Sequence, residues 1–166
     1  MTNSQSYLVS IVVPVFNEGQ GLRYFHNSLI AVMDEQYKGE YEIVYCNDGS
    51  TDDTFQVLDD IAKKMHAVRI VSLSRNFGKE TATTAGIHAA RGKAIVMLDA
   101  DGQHPVELIP EFIEHWQAGS KVIVGVRTEN YKEGAIKRYG SKLFYWLFNR
   151  FSDIKIVPGV SDFQLI

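Results

Sequence analysis

The sequence has only one cysteine, Cys46, among its 166 residues, and this scarcity excludes several classes of protein. One thiol forms no internal disulfide and no cysteine metal cluster, and it suits a reducing compartment. No apolar run approaches the roughly 20 residues that a bilayer-spanning helix needs, and residues 1–6 lack the basic and then apolar pattern of a signal peptide. We therefore expect this chain by itself to be soluble or peripheral to a membrane.

Positive charge is also scarce, because 17 Lys and Arg residues stand against 20 Asp and Glu residues, for a net charge of -3. This balance argues against a general nucleic-acid binder. The charge is unevenly distributed: residues 1–120 carry 9 basic and 16 acidic side chains, whereas residues 121–166 carry 8 and 4. An anionic partner, such as a lipid headgroup or a phosphate, is therefore expected to bind the C-terminal part.

Apolar, β-branched runs alternate with segments of helical period, which predicts an α/β fold with a mostly parallel sheet. The strands are predicted over residues 8–15, 41–47, 68–74, 94–99 and 121–126. The helices are predicted over residues 20–36, 52–65, 79–91, 106–117 and 134–151. Residues 49–52 are expected to cap the second helix, and Pro105 is expected in the first turn of the fourth.

Polar or charged residues follow each predicted strand. In open α/β sheets, ligands bind beyond the carboxyl ends of the strands, so these residues are candidates for a binding site. They lie at positions 17–18, 48–52, 74–79, 99–103 and 127. A sheet edge with this many acids, an Arg and a Lys suits a metal-bound ligand that carries phosphates.

Two carboxylates, Asp99 and Asp101, follow the fourth predicted strand at a spacing of two residues. In extended backbone this spacing places both on one side, where they repel each other unless a cation or a proton lies between them. Oxygen ligands without a nearby Cys or His cluster favour Mg²⁺ or Mn²⁺, usually shared with substrate phosphates. The alternative is a strand end in which Asp101 and Gly102 form a turn before the next helix.

Five motifs occur in order along the chain. Pro-Val-Phe-Asn-Glu at 14–18, Asn-Asp-Gly-Ser-Thr-Asp at 47–52 and Asp-Ala-Asp-Gly-Gln-His-Pro at 99–105 resemble the three nucleotide-sugar motifs of family 2 glycosyltransferases. Residues 75–80 and 161–165 are similar to the polyprenyl-phosphate branch, which includes dolichyl-phosphate mannose synthases and bactoprenol glucosyltransferases. The resemblance covers almost the whole chain.

This resemblance implies a GT-A type fold, that is, a Rossmann-like, mostly parallel sheet flanked by helices. It also implies an inverting transfer of a hexose, with glucose favoured, from a nucleotide diphosphate sugar to a polyprenyl phosphate (undecaprenyl or dolichyl). The implied donor is a UDP-sugar, with a GDP-sugar as the alternative, and the implied cofactor is Mg²⁺ or Mn²⁺. Two other functions stay open: transfer to a glycan hydroxyl, and nucleotide-sugar binding without catalysis.

The resemblance further implies which residues hold the nucleotide sugar: Pro14, Asn17, Glu18, Asp48, Ser50, Lys79, Asp99 and Ala100. Carboxylates accept hydrogen bonds well from ribose hydroxyls and from a base N–H group. Lys79 lies near a predicted helix start, where a phosphate would also meet free N–H groups. The local alternatives are strand-end turns with helix-capping acids, and a solvent-exposed cation at Lys79.

By the same resemblance, the metal ligands are Asp99, Asp101 and Gln103, and the catalytic residues are Asp99, Asp101, Arg127 and Asp162. Arg127 would face the leaving diphosphate, and Asp162 would orient the acceptor or act as a base. The alternatives are a solvated loop amide for Gln103 and an exposed cation for Arg127. His104 allows a catalytic base or a structural role at a helix entry.

Residues 134–151 carry apolar and aromatic side chains at helical spacing, among the cations Lys137, Arg138, Lys142 and Arg150. Such an amphipathic helix lies in a membrane interface or packs on the sheet. The lipid acceptor implied by the resemblance favours the interface. The expected location is the cytoplasmic face of a membrane.

Two positions depart from the branch pattern: Gly102 stands where a bulky apolar residue is usual, and Gln164 stands where an Arg is usual. The second departure weakens an implied phosphate contact, because Gln is not a cationic bidentate donor. Family members continue well past residue 166, commonly with two transmembrane helices. We therefore expect residues 1–166 to be a single nucleotide-sugar-binding domain, truncated at its C-terminus, of a membrane-anchored protein.

Overall fold

A computed structural model of the chain describes residues 7–126 and 160–166. The chain divides into two compact units, residues 1–123 with 162–166 and residues 124–161. The first unit holds the site described below. The predicted helix over residues 134–151 and Arg127 lie outside the described residues, so both stay predictions.

Strands and helices alternate along the described part of the chain, as the periodicity predicts. The strands are β1 (Val9–Val15), β2 (Tyr41–Asn47), β3 (Val68–Ser72), β4 (Ala94–Met97), β5 (Ile123–Val126) and β6 (Val160–Leu165). The helices are α1 (Gly19–Gln36), α2 (Thr54–Lys64), α3 (Lys79–Ala89) and α4 (Ile109–Gln117), with a 3-10 turn at Val106–Leu108 before α4.

One six-stranded sheet has the order β3-β2-β1-β4-β6-β5. Strand β1 runs parallel to β2 and β4, and β2 runs parallel to β3. Strand β6 runs antiparallel to β4, with Leu165 opposite Val96 and Gln164 opposite Met97. The predicted mostly parallel α/β architecture is confirmed, and the carboxyl ends of β1, β2 and β4 meet at one edge of the sheet.

The two faces of the sheet are covered by different helices. On one face, α1, α2 and α4 pack over a core that includes Leu22, Leu58 and Ile113. On the other face, α3 packs through Ala82 on a smaller cluster that includes Val12. Because both faces are covered, the parallel strands β1, β2 and β4 are apolar along most of their length.

The fourth predicted helix differs from the structure in its first turn. A 3-10 turn occupies residues 106–108, and α4 begins only at Ile109, with Pro110 in its first turn. Pro110 lacks the N–H group that would donate to the carbonyl of Val106 in a continuous α-helix, so the α-helix starts where that group is not needed. The expectation that Pro105 is the first-turn proline is therefore wrong, because Pro105 precedes the 3-10 turn with extended ψ of 107°.

Strand β6 was not predicted as a strand. Its six residues alternate weakly between polar and apolar side chains, and its pairing partner β4 lies more than sixty positions away in sequence. Local pattern carries no information about such a pairing, which depends on the rest of the sheet. The consequence is functional, since β6 brings Asp162 to the edge where β4 ends.

Among the helices within residues 7–126 and 160–166, none combines the length and apolar character that crossing a bilayer requires.

Candidate active site

A cavity of about 270 Å³ opens at the carboxyl ends of β1, β2 and β4. Its walls combine carboxylates, one lysine and apolar side chains. The lining residues are Pro14, Val15, Phe16, Glu18, Asp48, Asn76, Gly78, Lys79, Asp99, Ala100 and Asp101. Seven of the residues to which the resemblance assigns a role therefore share one cavity, although they come from four separate segments of the chain.

Asn17 and Ser50 join the loop after β1 to the loop after β2. The Asn17 backbone N–H donates to Ser50 Oγ at 3.0 Å, and the Thr51 backbone N–H donates to Asn17 Oδ1 at 2.9 Å. Asn17 has a positive φ of 54°, a conformation that Asn tolerates better than most residues. Neither Asn17 nor Ser50 lines the cavity, so their direct contact with a nucleotide stays a prediction.

Asp48 is almost fully buried at the end of β2 and holds the loop before α3. Its Oδ1 accepts the backbone N–H of Phe77 at 2.8 Å, and its Oδ2 accepts that of Gly78 at 2.9 Å. Gly49 makes this approach possible, because a Cβ atom there would lie 2.3 Å from the backbone carbon of Arg75. Asp48 therefore shapes one wall of the cavity through backbone contacts.

Lys79 is the first residue of α3 and bridges two carboxylates. Its Nζ donates to Asp99 Oδ2 at 2.7 Å and to Asp162 Oδ2 at 2.5 Å. Partial burial lowers the pKa of Lys79, but the hydrogen bonds to the two carboxylates outweigh burial and the pKa is raised. The side chain thus carries a positive charge between the end of β4 and strand β6.

The Glu18 carboxyl, which lines the cavity, has a raised pKa. Burial is the first cause that raises its pKa, and neighbouring carboxylates add to the rise. Those neighbours are Asp101, Asp52 and Asp99. Mutual repulsion of this kind favours the uptake of a cation at the same place.

The donor atoms around Asp99 and Asp101 fit a hard divalent cation whose coordination is completed by a ligand. Both carboxylates line the cavity. The Asp101 Oδ1 accepts the backbone N–H of Gln103 at 2.9 Å, which fixes the turn from Asp101 to Gln103. Within the described residues, no three His, Cys, Asp or Glu side chains form a ready metal site. Two carboxylates plus substrate phosphates are the usual pattern for Mg²⁺.

The predicted site residues fall into three groups. Pro14, Glu18, Asp48, Lys79, Asp99, Ala100 and Asp101 line the cavity. Asn17, Ser50, Gln103 and Asp162 do not line it, although Asp162 contacts it through Lys79. Arg127 lies outside the described residues.

Four lining residues, Val15, Phe16, Asn76 and Gly78, received no individual role from the sequence, although Asn76 and Gly78 lie within the candidate range 74–79. Phe16 is 41% exposed there, and Asn76 and Gly78 come from the loop that Asp48 holds. Val15 and Phe16 belong to the first motif, and Asn76 and Gly78 belong to the motif at residues 75–80. Their membership in those motifs was a signal that could have found them.

The fold is of the GT-A type, as its likeness to solved structures shows. The crystal structure of glucosyl-3-phosphoglycerate synthase from Mycobacterium tuberculosis with Mn²⁺, UDP and phosphoglyceric acid has a TM-score of 0.62 and 22% identity, covering 96% of this chain and 55% of that chain. Mannosyltransferase PcManGT from Pyrobaculum calidifontis with GDP-Man and Mn²⁺ has a TM-score of 0.61 and 22% identity, covering 76% and 37%. At this identity the likeness concerns the fold.

The chain belongs to glycosyl transferase family 2, whose pattern matches residues 10–164. It is 40% identical over 158 residues to a bactoprenol glucosyl transferase of Shigella phage SfV, covering 95% of this chain and 51% of that protein. The resemblance seen in the motifs is therefore confirmed at the level of the family. The chain spans about half the length of the curated relatives it matches.

Proposed function

We propose that the protein transfers a hexose, with glucose favoured, from a nucleotide diphosphate sugar to a polyprenyl phosphate with inversion at the anomeric carbon. The observation that carries this proposal is the cavity in which Glu18, Lys79, Asp99 and Asp101 converge beyond the parallel strands. Support for the acceptor comes from the relative named as a bactoprenol glucosyl transferase. A UDP-sugar is the favoured donor, and a GDP-sugar is the alternative.

On the donor side, the residues after β1 and β2 would bind the nucleoside. The Asp48 carboxylate orders the backbone of the loop at Phe77 and Gly78, while Phe16 offers an aromatic face at the rim of the cavity. The remaining lone pairs of Asp48 and the Glu18 carboxylate are suitable acceptors for ribose hydroxyls or a base N–H group.

Asp99 and Asp101, with Gln103 as a further oxygen ligand, would hold Mg²⁺ or Mn²⁺ together with the diphosphate. The ion, when bound, supplies electrostatic stabilisation of the charge that grows on the departing nucleoside diphosphate. Lys79 contributes a fixed positive charge beside Asp99, and Arg127 is proposed to contribute another. A well-placed donor of this kind contributes about 3–4 kcal/mol, or about 10² to 10³ in rate.

On the acceptor side, we propose that Asp162 orients the lipid phosphate. A phosphate monoester is already anionic near neutral pH, so an oxygen of the acceptor attacks without a strong general base. Asp162 is held by the Lys79 ammonium group, which favours an orienting role for its carboxylate. The excess of basic residues after position 120 supports binding of an anionic lipid there, at the cytoplasmic face of a membrane.

The proposal is tested by titrating UDP-glucose and GDP-mannose into this chain by calorimetry, with and without Mn²⁺. We expect metal-dependent binding of the UDP-sugar and its loss in Asp101→Ala, whose exposed side chain can be removed without opening a core cavity. The matched control is Asp59→Ala, an exposed carboxylate of α2 outside the cavity, which should bind as the wild type does.

Transfer is then measured with undecaprenyl phosphate and with an oligosaccharide as alternative acceptors. Sugar transfer to the lipid phosphate supports the proposal. Transfer to the glycan hydroxyl alone would reassign the acceptor, and metal-dependent UDP binding without transfer or donor hydrolysis would identify a binding module. Turnover by Asp101→Ala at the wild-type rate would refute the assignment of Asp101 as a metal ligand.

A further inference from the structure

His104 is a buried polar residue next to the proposed metal ligand Asp99. The imidazole is 6% exposed, and its Nε2 lies 3.7 Å from Asp99 Oδ2. This distance is within ion-pair range and longer than a hydrogen bond. A histidine this buried needs a polar partner, and the Asp99 carboxylate is the acid beside it.

Packing holds the His104 ring in place. Its centroid lies 5.6 Å from that of Phe163 at an interplanar angle of 40°. Phe163 is fully buried and stacks on Phe112 of α4, with centroids 4.5 Å apart. The imidazole is therefore wedged between an aromatic stack and a carboxylate, so it has little freedom to turn away from Asp99.

The two faces of strand β6 carry side chains that contact the two neighbours of Asp99, which are Lys79 and His104. Successive side chains of a strand point to opposite faces, so Asp162 and Phe163 contact different partners. Asp162 accepts from Lys79, which also donates to Asp99 Oδ2, and Phe163 backs the ring of His104. Asp99 Oδ2 thus faces both the Lys79 ammonium group and the His104 imidazole. Lys79 contacts Asp162 of β6, and His104 contacts Phe163 of β6.

We propose that His104 is a positioning residue that orients the Asp99 carboxylate toward the divalent cation. This inference rests on the proposed function, because it assigns His104 a part in metal binding at the same site. Groups that orient metal-ligating carboxylates typically change metal affinity by about 10- to 100-fold when removed. A purely structural His104 would affect stability and leave the metal affinity of the folded protein unchanged.

Two substitutions separate the polar contact from the packing. His104→Phe keeps a ring against Phe163 and removes Nε2, whereas His104→Gln keeps a nitrogen donor near that position. The matched control is His115→Phe, because His115 Nε2 also lies 3.7 Å from a carboxylate, that of Glu111, on the exposed surface of α4. All three variants are compared with the wild type by thermal unfolding to establish that they are folded.

The measurement is Mn²⁺ binding to the chain in the presence of UDP, read from the electron paramagnetic resonance signal of free Mn²⁺. We expect His104→Phe to weaken Mn²⁺ binding by about tenfold or more, His104→Gln to restore most of the affinity, and His115→Phe to bind as the wild type does. UDP affinity without metal should be equal in all four proteins.

Two results would overturn the inference alone: wild-type Mn²⁺ affinity in His104→Phe, or equal losses in His104→Phe and His104→Gln. Failure of the wild-type chain to bind Mn²⁺ with UDP would overturn the proposed function and the role of His104 with it. The wild-type titration therefore distinguishes the two failures.

Discussion

Single carboxylates at the cavity differ in what they hold. The Asp99 carboxylate accepts a hydrogen bond from the Lys79 side chain. The Asp48 carboxylate instead accepts hydrogen bonds from two backbone N–H groups of the loop before α3. Both residues end a strand and both belong to the motifs, so their types look alike in sequence. Their different partners follow from the loops that the fold places next to each strand end.

Replacing Asp48 with Asn should disturb the loop at residues 76–78. The amide offers one oxygen for two backbone donors and turns an N–H₂ group toward the other, which leaves a buried donor unsatisfied at a cost of about 1–3 kcal/mol. We expect a lower free energy of unfolding in urea and weaker UDP binding by calorimetry. Asp59→Asn weakens only an exposed i,i+4 ion pair with Lys63 on α2, so it should leave UDP binding unchanged and lower the free energy of unfolding by no more than about 0.5 kcal/mol. Unaltered UDP binding in Asp48→Asn would contradict the role given to this loop.

At the scale of elements, helix α3 reaches the sheet through a glycine. A Cβ atom at Gly86 would lie 2.3 Å from Cys46 Sγ and 2.5 Å from Val12 Cγ1. The absence of a side chain therefore sets the depth at which α3 packs. That depth also places Lys79, at the start of α3, beside Asp99.

Gly86→Ala should destabilise the protein even though alanine is the better helix former. Overpacking costs about 1–3 kcal/mol, which exceeds or matches the gain of about 1 kcal/mol in helix propensity. The free energy of unfolding in urea measures the net loss. Gly21→Ala on α1 is the control, because nothing lies within 4 Å of its added Cβ, and we expect it to be neutral or stabilising. A gain in stability in Gly86→Ala would contradict the close packing.

Element boundaries show what local patterns encode. The periodicity predicts β2 at residues 41–47, the same residues that the structure assigns, because a buried strand is a continuous apolar run. The predicted strands at 68–74 and 94–99 end earlier, at Ser72 and Met97, since apolar residues in a loop continue the same pattern. The expectation that residues 49–52 cap α2 is wrong by one position, because the N-cap is Asp53, which makes no side-chain capping hydrogen bond. Asp52, just before it, accepts the Thr54 N–H at its Oδ1 at 3.0 Å.

At the scale of the whole molecule, charge is unevenly distributed along the sequence, and this distribution is the basis of the proposed membrane contact. Residues 1–120 are acidic on balance and contain the cavity carboxylates, and residues 121–166 are basic on balance. A basic, aromatic segment at 134–151 is proposed to contact the membrane that carries the acceptor. The proposal rests on the sequence pattern, since that segment lies outside the described residues.

The chain should bind vesicles that contain anionic lipid, and the binding should weaken with salt. Each cation near an anionic surface contributes about 1 kcal/mol, so reversing Lys137 and Arg138 to Glu should lower the partition coefficient at least about tenfold. Reversing Lys63 and Lys64 in α2 is the matched control and should have a smaller effect. Vesicle sedimentation measures the partition coefficients of all three proteins. Absence of binding at every salt concentration would favour the alternative interpretation, in which residues 134–151 form a helix that packs on the sheet.

The sequence alone determined the α/β class, the mostly parallel sheet and the family, because these depend on hydrophobic period and on short motifs that the chain displays locally. It also identified most of the cavity wall, since residues at the carboxyl ends of parallel strands must meet. Asp99 and Asp101 were predicted to lie on one side because they are two residues apart in extended backbone, and both line the cavity.

Only the tertiary structure decided how those residues are supported. The bridge from Lys79 to Asp99 and Asp162, the wedge of His104 against Phe163 and the antiparallel strand β6 join positions up to 83 residues apart. Such contacts arise when separate loops and strands pack at one edge of the sheet, and no local pattern encodes them. The motifs therefore named the chemical groups of the site, while packing determined which of them act together.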